Sequence, residues 1–275
     1  MARNWSHFRT FVRSDHVTFP RLVSIFVDPD DERGKYLLKH RGITQSGVTG
    51  SWIAATRLLE PDLSVDIGAN YGEVSLCVRY QDRRLLMFEP NPALMPYLSR
   101  SAGSHVDSSA ITVVPMAVGE TAGRATLAVT DGWSGTSSLR ATGTEPTHPV
   151  EVEVTTVDDF LASEELSGTR VLFKIDVEGF EGQALAGMQE TLRRCAGFAG
   201  IVEFDRDYLE EVATGNARLT ADRLLGYGSC RYIDADDRLQ PFAALEDLPA
   251  HTDIVVCSDA ELLAAIEIPP WTRSR

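Results

Sequence analysis

The sequence predicts an α/β protein whose core is a mostly parallel, seven-stranded sheet with helices on both faces. Three observations carry this. From residue 63 onward, short apolar runs alternate with helical stretches. The first such run ends in a glycine-rich turn, Val65–Gly72 (VDIGANYG), and the second ends in Phe88-Glu89-Pro90-Asn91-Pro92. Strands that alternate with crossover helices form parallel sheets covered on both sides.

The elements read in order as follows. Residues 1–60 form an N-terminal helical cap or lid, and residues 61–275 the main domain. The first residues mix aromatic and basic side chains (Trp5, Phe8, Arg9, Phe11, Arg13), and Asp28–Gly34 (DPDDERG) is a polar turn. Ser51–Glu60 reads as a helix capped near Thr49 or Ser51 and closed by Pro61. Strands follow at Leu63–Ile67, Arg84–Phe88, Ile111–Val118, Val171–Ile175 and Ile201–Phe204. Helices are expected at Glu73–Tyr80, Pro92–Arg100, Phe180–Arg194 and Tyr208–Leu225. Residues 119–157 interrupt the alternation. ATLAVT and VEVEVTTV flank a Gly/Ser/Thr-rich stretch, and the period of two in VEVEV marks a β-hairpin insertion. Thr156-Val-Asp-Asp159 has the spacing of a helix-start capping box. Strands around Cys230–Asp234 and Asp253–Cys257, with no crossover helix between them, predict an antiparallel edge.

Composition narrows the function classes. The 275-residue chain carries a net charge of −14. A surface this acidic repels phosphate backbones, so no nucleic-acid partner is expected. Four scattered cysteines without a C-x-x-C pair fit a reducing compartment and exclude a zinc site of that type. No signal-like apolar segment opens the chain and no run is long enough to span a bilayer, so a cytoplasmic protein is expected.

Three segments carry the chemistry. In the turn after the first strand, Asp66, Gly68, Ala69, Asn70 and Gly72 are candidate ligand contacts. Glycine admits positive φ and close approach, and asparagine tolerates the left-handed region. Free N–H groups at the following helix start would suit a carboxylate or phosphate. A tight strand–helix turn without ligand looks the same in isolation. Glu89, 21 residues after Gly68, narrows the choice. It occupies the place from which an acidic side chain takes ribose hydroxyls, with Pro90 stiffening the loop. The spacing G-x-N-x-G, in place of G-x-G-x-x-G, disfavours a nicotinamide dinucleotide and suits an amino-acid carboxylate.

The third segment is Lys174–Gly182 (KIDVEGFEG). An extended strand would point Lys174, Asp176 and Glu178 to one side at the carboxyl end of the fourth strand. A lysine and two carboxylates there are costly unless paired or used. One reading is a base or hydroxyl-orienting group; the other is a structural ion pair of Lys174 with Glu178 or Glu203. Glu181 reads as a complement to the helix dipole. Glu203, ending the fifth strand, would complete an acidic cluster for which Mg²⁺ is a minor reading. Trp133, Ser137 and Ser138, in the insertion loop, are candidate substrate contacts or ordinary turn residues. The histidines show no metal-binding pattern.

With these motifs in hand, the chain resembles the FkbM family of S-adenosylmethionine-dependent methyltransferases over about residues 62–204. VDIGANYGEVS, FEPNP, PMAVGE, SSL at Ser137–Leu139, VTTVDDFL and KIDVEGFEGQALAGM look like the family's successive blocks. The resemblance implies a Rossmann-like class I methyltransferase fold, S-adenosylmethionine as methyl donor, and O-methylation of a natural product or sugar. It also implies that Asp66, Gly68, Asn70 and Gly72 hold the methionine portion and that Glu89 takes the ribose. Met116 and Ala117 would lie by the adenine, and Asp176 near the transferring methyl. Asp205 departs from the family, where histidine is frequent. N- or carboxyl-methylation, and a non-catalytic binding module, stay open as alternatives. The acceptor is expected to be a small molecule, and an apolar N-terminal segment is compatible with a homodimer.

Overall fold

The computed structural model describes residues 11–12, 16–19, 21–139 and 147–268. Trp5, Phe8, Arg9 and Arg13 lie outside them.

The N-terminal region is not purely helical. Strands β1 (Phe11–Val12), β2 (His16–Phe19) and β3 (Val23–Phe26) form an antiparallel meander. Alternating burial in HVTF and VSIF, with Val17, Phe19, Val23 and Ile25 inward, explains why this stretch is extended. Helix α1 (Glu32–Lys39) follows, capped by Asp31, whose side chain accepts from Gly34 N at 3.1 Å. The expected polar turn is therefore also a helix start. Helix α2 (Ser46–Leu59) starts earlier than expected and ends at Glu60 in a left-handed conformation.

The core then runs β4 (Leu63–Ile67), β5 (Arg84–Phe88), α3 (Met95–Ser104) and β6 (Ile111–Val114). Next come β7 (Ala117–Val118), β8 (Gly123–Thr130) and β9 (Thr147–Thr155), which form a separate three-stranded sheet in the order β7-β9-β8. Strand β8 pairs antiparallel with β9, and β7 pairs parallel to β9. The run expected as one strand, 111–118, is thus split between two sheets. Helix α4 (Val157–Phe160), capped by the Thr156 side chain on Asp159 N, leads to β10 (Arg170–Ile175).

After β10 come α5 (Glu181–Ala186), α6 (Gln189–Arg194), β11 (Gly197–Asp205), α7 (Arg206–Val212) and α8 (Asn216–Tyr227). The chain closes with β12 (Ser229–Ile233), β13 (Leu239–Pro241), β14 (His251–Cys257) and α9 (Ala260–Ala265). The helix expected over 180–194 is broken because Asp158 reaches in. Its carboxylate accepts from Glu190 N and Thr191 N and starts α6 afresh. The helix expected over 73–80 contracts to a 3₁₀ turn at Ser75–Cys77. Tyr80 Oη donates to the Ser75 carbonyl, and Tyr80 N donates to Asp107, so side chains satisfy groups an α-helix would use.

The central sheet has eight strands in the order β13-β12-β14-β11-β10-β4-β5-β6. Strands β11, β10, β4, β5 and β6 are parallel, whereas β12, β13 and β14 join antiparallel. It is a mixed sheet of eight strands where seven were expected, with five contiguous parallel strands and an antiparallel edge. The eighth strand arises because Asp234 Oδ1 accepts from Asp236 N and Arg238 N, turning the chain back onto β12.

Both faces are covered. Along β10, Leu172 joins one apolar cluster with Trp52 and Met87, while Val171, Phe173 and Ile175 join the other with Phe88 and Phe204. This two-sided burial is why VLFKI and RLLMF read as continuous apolar runs. Among the described residues no helix is long and apolar enough to cross a membrane.

Candidate functional site

A cavity of about 930 Å³, counted with its open mouth, lies at the carboxyl ends of β4, β5 and β10. This is the edge of an α/β sheet where ligands bind, at the point where strand order reverses between β4 and β10. Asp66, Gly68, Ala69, Asn70, Glu89, Pro90, Met116, Ala117, Ser137, Ser138, Lys174, Asp176, Glu178 and Glu203 all line it.

The turn after β4 is built by conformation and by close approach. Gly68 has φ 78°, and a Cβ there would lie 1.8 Å from the Asp176 carbonyl oxygen. Asn70, at φ 49°, takes the left-handed region that asparagine tolerates. Gly72 does not face the cavity. At φ 83°, its absent side chain leaves room for Leu76, Met87 and Leu98 in the core below. Its expected ligand contact is thus corrected to a packing role.

A second correction concerns the N–H groups of this turn, expected to be free for an anion. Gly68 N and Ala69 N both donate to the Phe88 carbonyl at 3.0 Å, and Gly72 N donates to Ala69 O at 2.7 Å. Asn70 N donates to Glu89 Oε2 at 2.8 Å. The turn is stitched to β5, because its donors must be satisfied whether or not a ligand is present.

Glu89 also accepts from Asn91 N, at 2.8 Å. Burial pushes its carboxyl up to about 7, against the lowering effect of the two N–H bonds. It therefore titrates near neutrality beside the turn.

On the far side of the strand-order reversal, Lys174 Nζ lies 3.2 Å from Asp176 Oδ2 and 3.6 Å from Asp66 Oδ1, and donates to Gly68 O at 3.3 Å. The ion pair weighed from sequence, with Glu178 or Glu203, is replaced by this one. Register explains the change. Lys174 stands beside Asp66 on the adjacent parallel strand. Burial disfavours the Lys174 charge, yet Asp176 and Asp66 outweigh it and hold the amine protonated.

Asp176 remains partly accessible, with 18% of its side chain exposed. Burial works against its charge, but Lys174 and Arg33 keep its carboxyl below the usual range. Glu203 behaves oppositely. Burial and the charges of Asp176 and Glu178 raise its carboxyl well above the ordinary range. Its Oε2 is buried without a hydrogen-bond partner among the described residues.

Strand alternation does not bring Glu178 to this side, since β10 ends at Ile175. A turn does so instead, with Glu178 at φ 56° and Gly179 at φ 105°. Glu181 holds that turn. Its carboxylate accepts from Val177 N and Gly179 N, a more specific task than complementing a helix dipole. Burial pushes Glu181 up to about 7. Carboxylate oxygens of Asp176, Glu178 and Glu203 lie within 4.8 Å of one another, a donor set of the kind that holds a hard cation.

Several pocket residues have no local signature in the sequence. Arg33 and Gln45 come from the N-terminal region, Glu73 follows the turn, and Ser134 and Gly135 belong to the insertion. Arg33 Nη2 pairs with Glu73 Oε1. Asp31 Oδ1 accepts from Ser134 N, and Asp31 Oδ2 accepts from Ser134 Oγ and Tyr71 Oη. Residues 40 to 103 positions apart meet here, so only the folded chain reveals the set. Ser138 donates to the Glu178 carbonyl at 2.8 Å, while Ser137 Oγ accepts from Thr130 N. Trp133 is not among the cavity-lining residues; its indole nitrogen stands against Gly135, which is. Asp205 caps α7 through Tyr208 N and its Oδ2 stands 3.1 Å from His251 Nδ1.

Comparison with known proteins places these features in a family. The model of the methyltransferase FkbM domain matches residues 66–225, from the end of β4 into α8. No curated protein matches the chain significantly. Among solved structures, the methyltransferase FkbM from Methylobacillus flagellatus is 16% identical, with a TM-score of 0.42, over 72% of this chain and 44% of that one. The present chain thus spans less than half of that protein. The O-methyltransferase TomG from Streptomyces achromogenes, solved with S-adenosylmethionine, is 10% identical, with a TM-score of 0.42, over 78% and 79%. An O-methyltransferase-like protein from Klebsiella pneumoniae is 12% identical, with a TM-score of 0.44, over 85% and 90%. These likenesses are weak, whereas the domain match covers more than half of the chain, and on that ground the protein belongs to the FkbM methyltransferase family.

Proposed function

We propose that the protein transfers a methyl group from S-adenosylmethionine to a hydroxyl of a small polar acceptor, a natural product or a sugar. The observation that carries this reading is Asp176, an ionised and partly accessible carboxylate in the same cavity as Glu89.

The residues present fit the cofactor. Asp66 Oδ1 and Asn70 Oδ1 are buried without a hydrogen-bond partner among the described residues, as acceptors awaiting a donor would be. Gly68 keeps its corner of the turn free of a side chain. Glu89 would accept from ribose hydroxyls, Pro90, Met116 and Ala117 would flank the base, and Asp66 would face the ammonium. When bound, the cofactor supplies an electrophilic methyl on a sulfonium centre.

Asp176, held ionised by Lys174 and Arg33, is a weak base but a good acceptor. It would orient the acceptor hydroxyl and take up its proton as the new C–O bond forms. Glu203, whose carboxyl is raised by burial and the neighbouring charges, would face a second oxygen of the acceptor.

Calorimetry with S-adenosylmethionine, S-adenosylhomocysteine and NADH tests the cofactor. Binding of the first two without NADH supports the reading, and NADH binding alone would overturn it. Screening hydroxylated acceptors for the mass gain of one methylene tests the reaction. Asp176→Asn should abolish that gain and Glu178→Gln should reduce it; normal turnover in both makes the cluster structural. Lys174 and Arg33 already compensate the acidic cluster, so EDTA is expected to leave turnover unchanged.

A further inference from the structure

The turn after β4 has no N–H group to spare at Gly68, Ala69, Asn70 or Gly72. No α-helix opens behind it, only the three-residue turn Ser75–Cys77. At these four positions the backbone has nothing left to offer an anion. A carboxylate beside them requires another donor.

Among the described residues two cations line the cavity, Lys174 and Arg33. Lys174 is already engaged by Asp176 at 3.2 Å and Gly68 O at 3.3 Å, with Asp66 Oδ1 3.6 Å away. Arg33 is different. A guanidinium has five N–H groups in a planar fork. Nη2 pairs with Glu73, whereas Nε is buried and has no partner among the described residues. Only 15% of the side chain is exposed. An arginine edge withdrawn from water and left unpaired is costly, unless a ligand completes it.

Its position is well defined. Glu73 directly follows the turn, so the Arg33–Glu73 pair fixes the guanidinium beside it. Asp31, two residues earlier, is anchored by Tyr71 from the same turn and by Ser134 from the insertion. Arg33 is also close enough to Asp176 and Glu178 for their charges to act on it. It thus belongs to the end of the cavity that holds Asp66 and Asp176.

We propose that Arg33 receives the α-carboxylate of the cofactor's amino-acid portion, a task the N–H groups of Gly68, Ala69, Asn70 and Gly72, already spent, cannot perform. The inference rests on the cofactor reading above. It assigns the two charges of that portion to two partners. The carboxylate goes to the Arg33 fork and the ammonium to the Asp66 side. A guanidinium–carboxylate pair is charge-assisted and geometrically specific, which suits a position where one edge is already fixed by Glu73.

The test compares S-adenosylhomocysteine with its decarboxylated counterpart, which keeps the ammonium and loses only the carboxylate. Calorimetry on the full chain is expected to show that the wild type prefers the former by about tenfold or more. In Arg33→Ala the preference should shrink to within about twofold, with the affinity for the decarboxylated ligand little changed. Arg33→Lys, which keeps the charge and loses the fork, should recover part of the preference. An Arg33→Ala variant that keeps the wild-type preference, or weakens both ligands by the same factor, overturns the proposal. A wild type that binds both ligands equally overturns it without any variant. A wild type that binds neither removes the cofactor reading itself, a result distinct from the others.

Discussion

Lys174 Nζ stands 3.2 Å from Asp176 Oδ2 and 3.6 Å from Asp66 Oδ1, so one buried cation answers two carboxylates from adjacent parallel strands. The arrangement joins stability to function, since both carboxylates line the cavity, Asp66 buried at 1% exposure and Asp176 with 18% of its side chain exposed. Lys174→Met strands both charges. Removing one partner of a buried ion pair costs about 3–5 kcal/mol, to be read from chemical denaturation. The same change removes an influence that holds Asp176 low, so the acidic limb of any pH–rate profile should move to higher pH.

Gly68→Ala should be among the most damaging single substitutions. It places a Cβ 1.8 Å from the Asp176 carbonyl and demands φ 78° of an alanine. A loss of about 3 kcal/mol or more is expected, together with weakened nucleoside binding, because the clash displaces Asp176. Thermal denaturation and S-adenosylhomocysteine titration check both.

Glu89 ties ligand binding to pH. Hydroxyl groups donate to the ionised carboxylate, so affinity should rise by about tenfold per pH unit up to about 7 and level off above it. The stability of the free protein should run the other way. A carboxyl whose folded value is raised holds its proton more tightly in the folded state. Its contribution is therefore largest below the ordinary value of 4.5 and is lost as pH rises towards about 7. Glu181 and Asp253 are also pushed up to about 7, so the Glu89 share is the part that disappears in Glu89→Gln. Affinity that stays flat with pH in the wild type would remove Glu89 from the ribose contact.

Asp31 clasps the N-terminal region to the insertion over the cavity. Asp31→Ala removes the acceptor for Ser134 N, Ser134 Oγ, Tyr71 Oη and Gly34 N. The expected loss is about 1–3 kcal/mol of stability, with KM rising more than kcat falls, because the roof loosens while Asp176 stays in place. Ser134→Ala should reproduce a smaller part of the effect. Steady-state kinetics with the identified acceptor checks the split.

Much of the core was legible in the sequence because its signals are local. Leu63–Ile67 and Arg84–Phe88 are strands at the expected boundaries, since two-sided burial demands unbroken apolar runs. The glycines and asparagine of VDIGANYG, Glu89 after the second strand and the acidic segment after Ile175 also announce themselves by spacing. Errors arose where distant side chains satisfy the backbone. Asp158 restarts a helix at Gln189, and Tyr80 with Asp107 shortens another to three residues. The edge of the sheet gained a strand through the Asp234 turn, a short-range device with little hydrophobic signature.

By itself, the sequence determined the α/β core, the cavity's carboxyl-end location and most of its lining, because strand periodicity and turn chemistry depend on neighbours in the chain. Tertiary structure alone decided how those residues are used. It spent the N–H groups of Gly68, Ala69 and Asn70 on Phe88 and Glu89, turned Gly72 towards the core and paired Lys174 with Asp66. It also brought Arg33 to Glu73 across 40 positions. The reason is physical. Every buried donor and charge must find a partner, and partners are chosen by proximity in space, which no local pattern encodes.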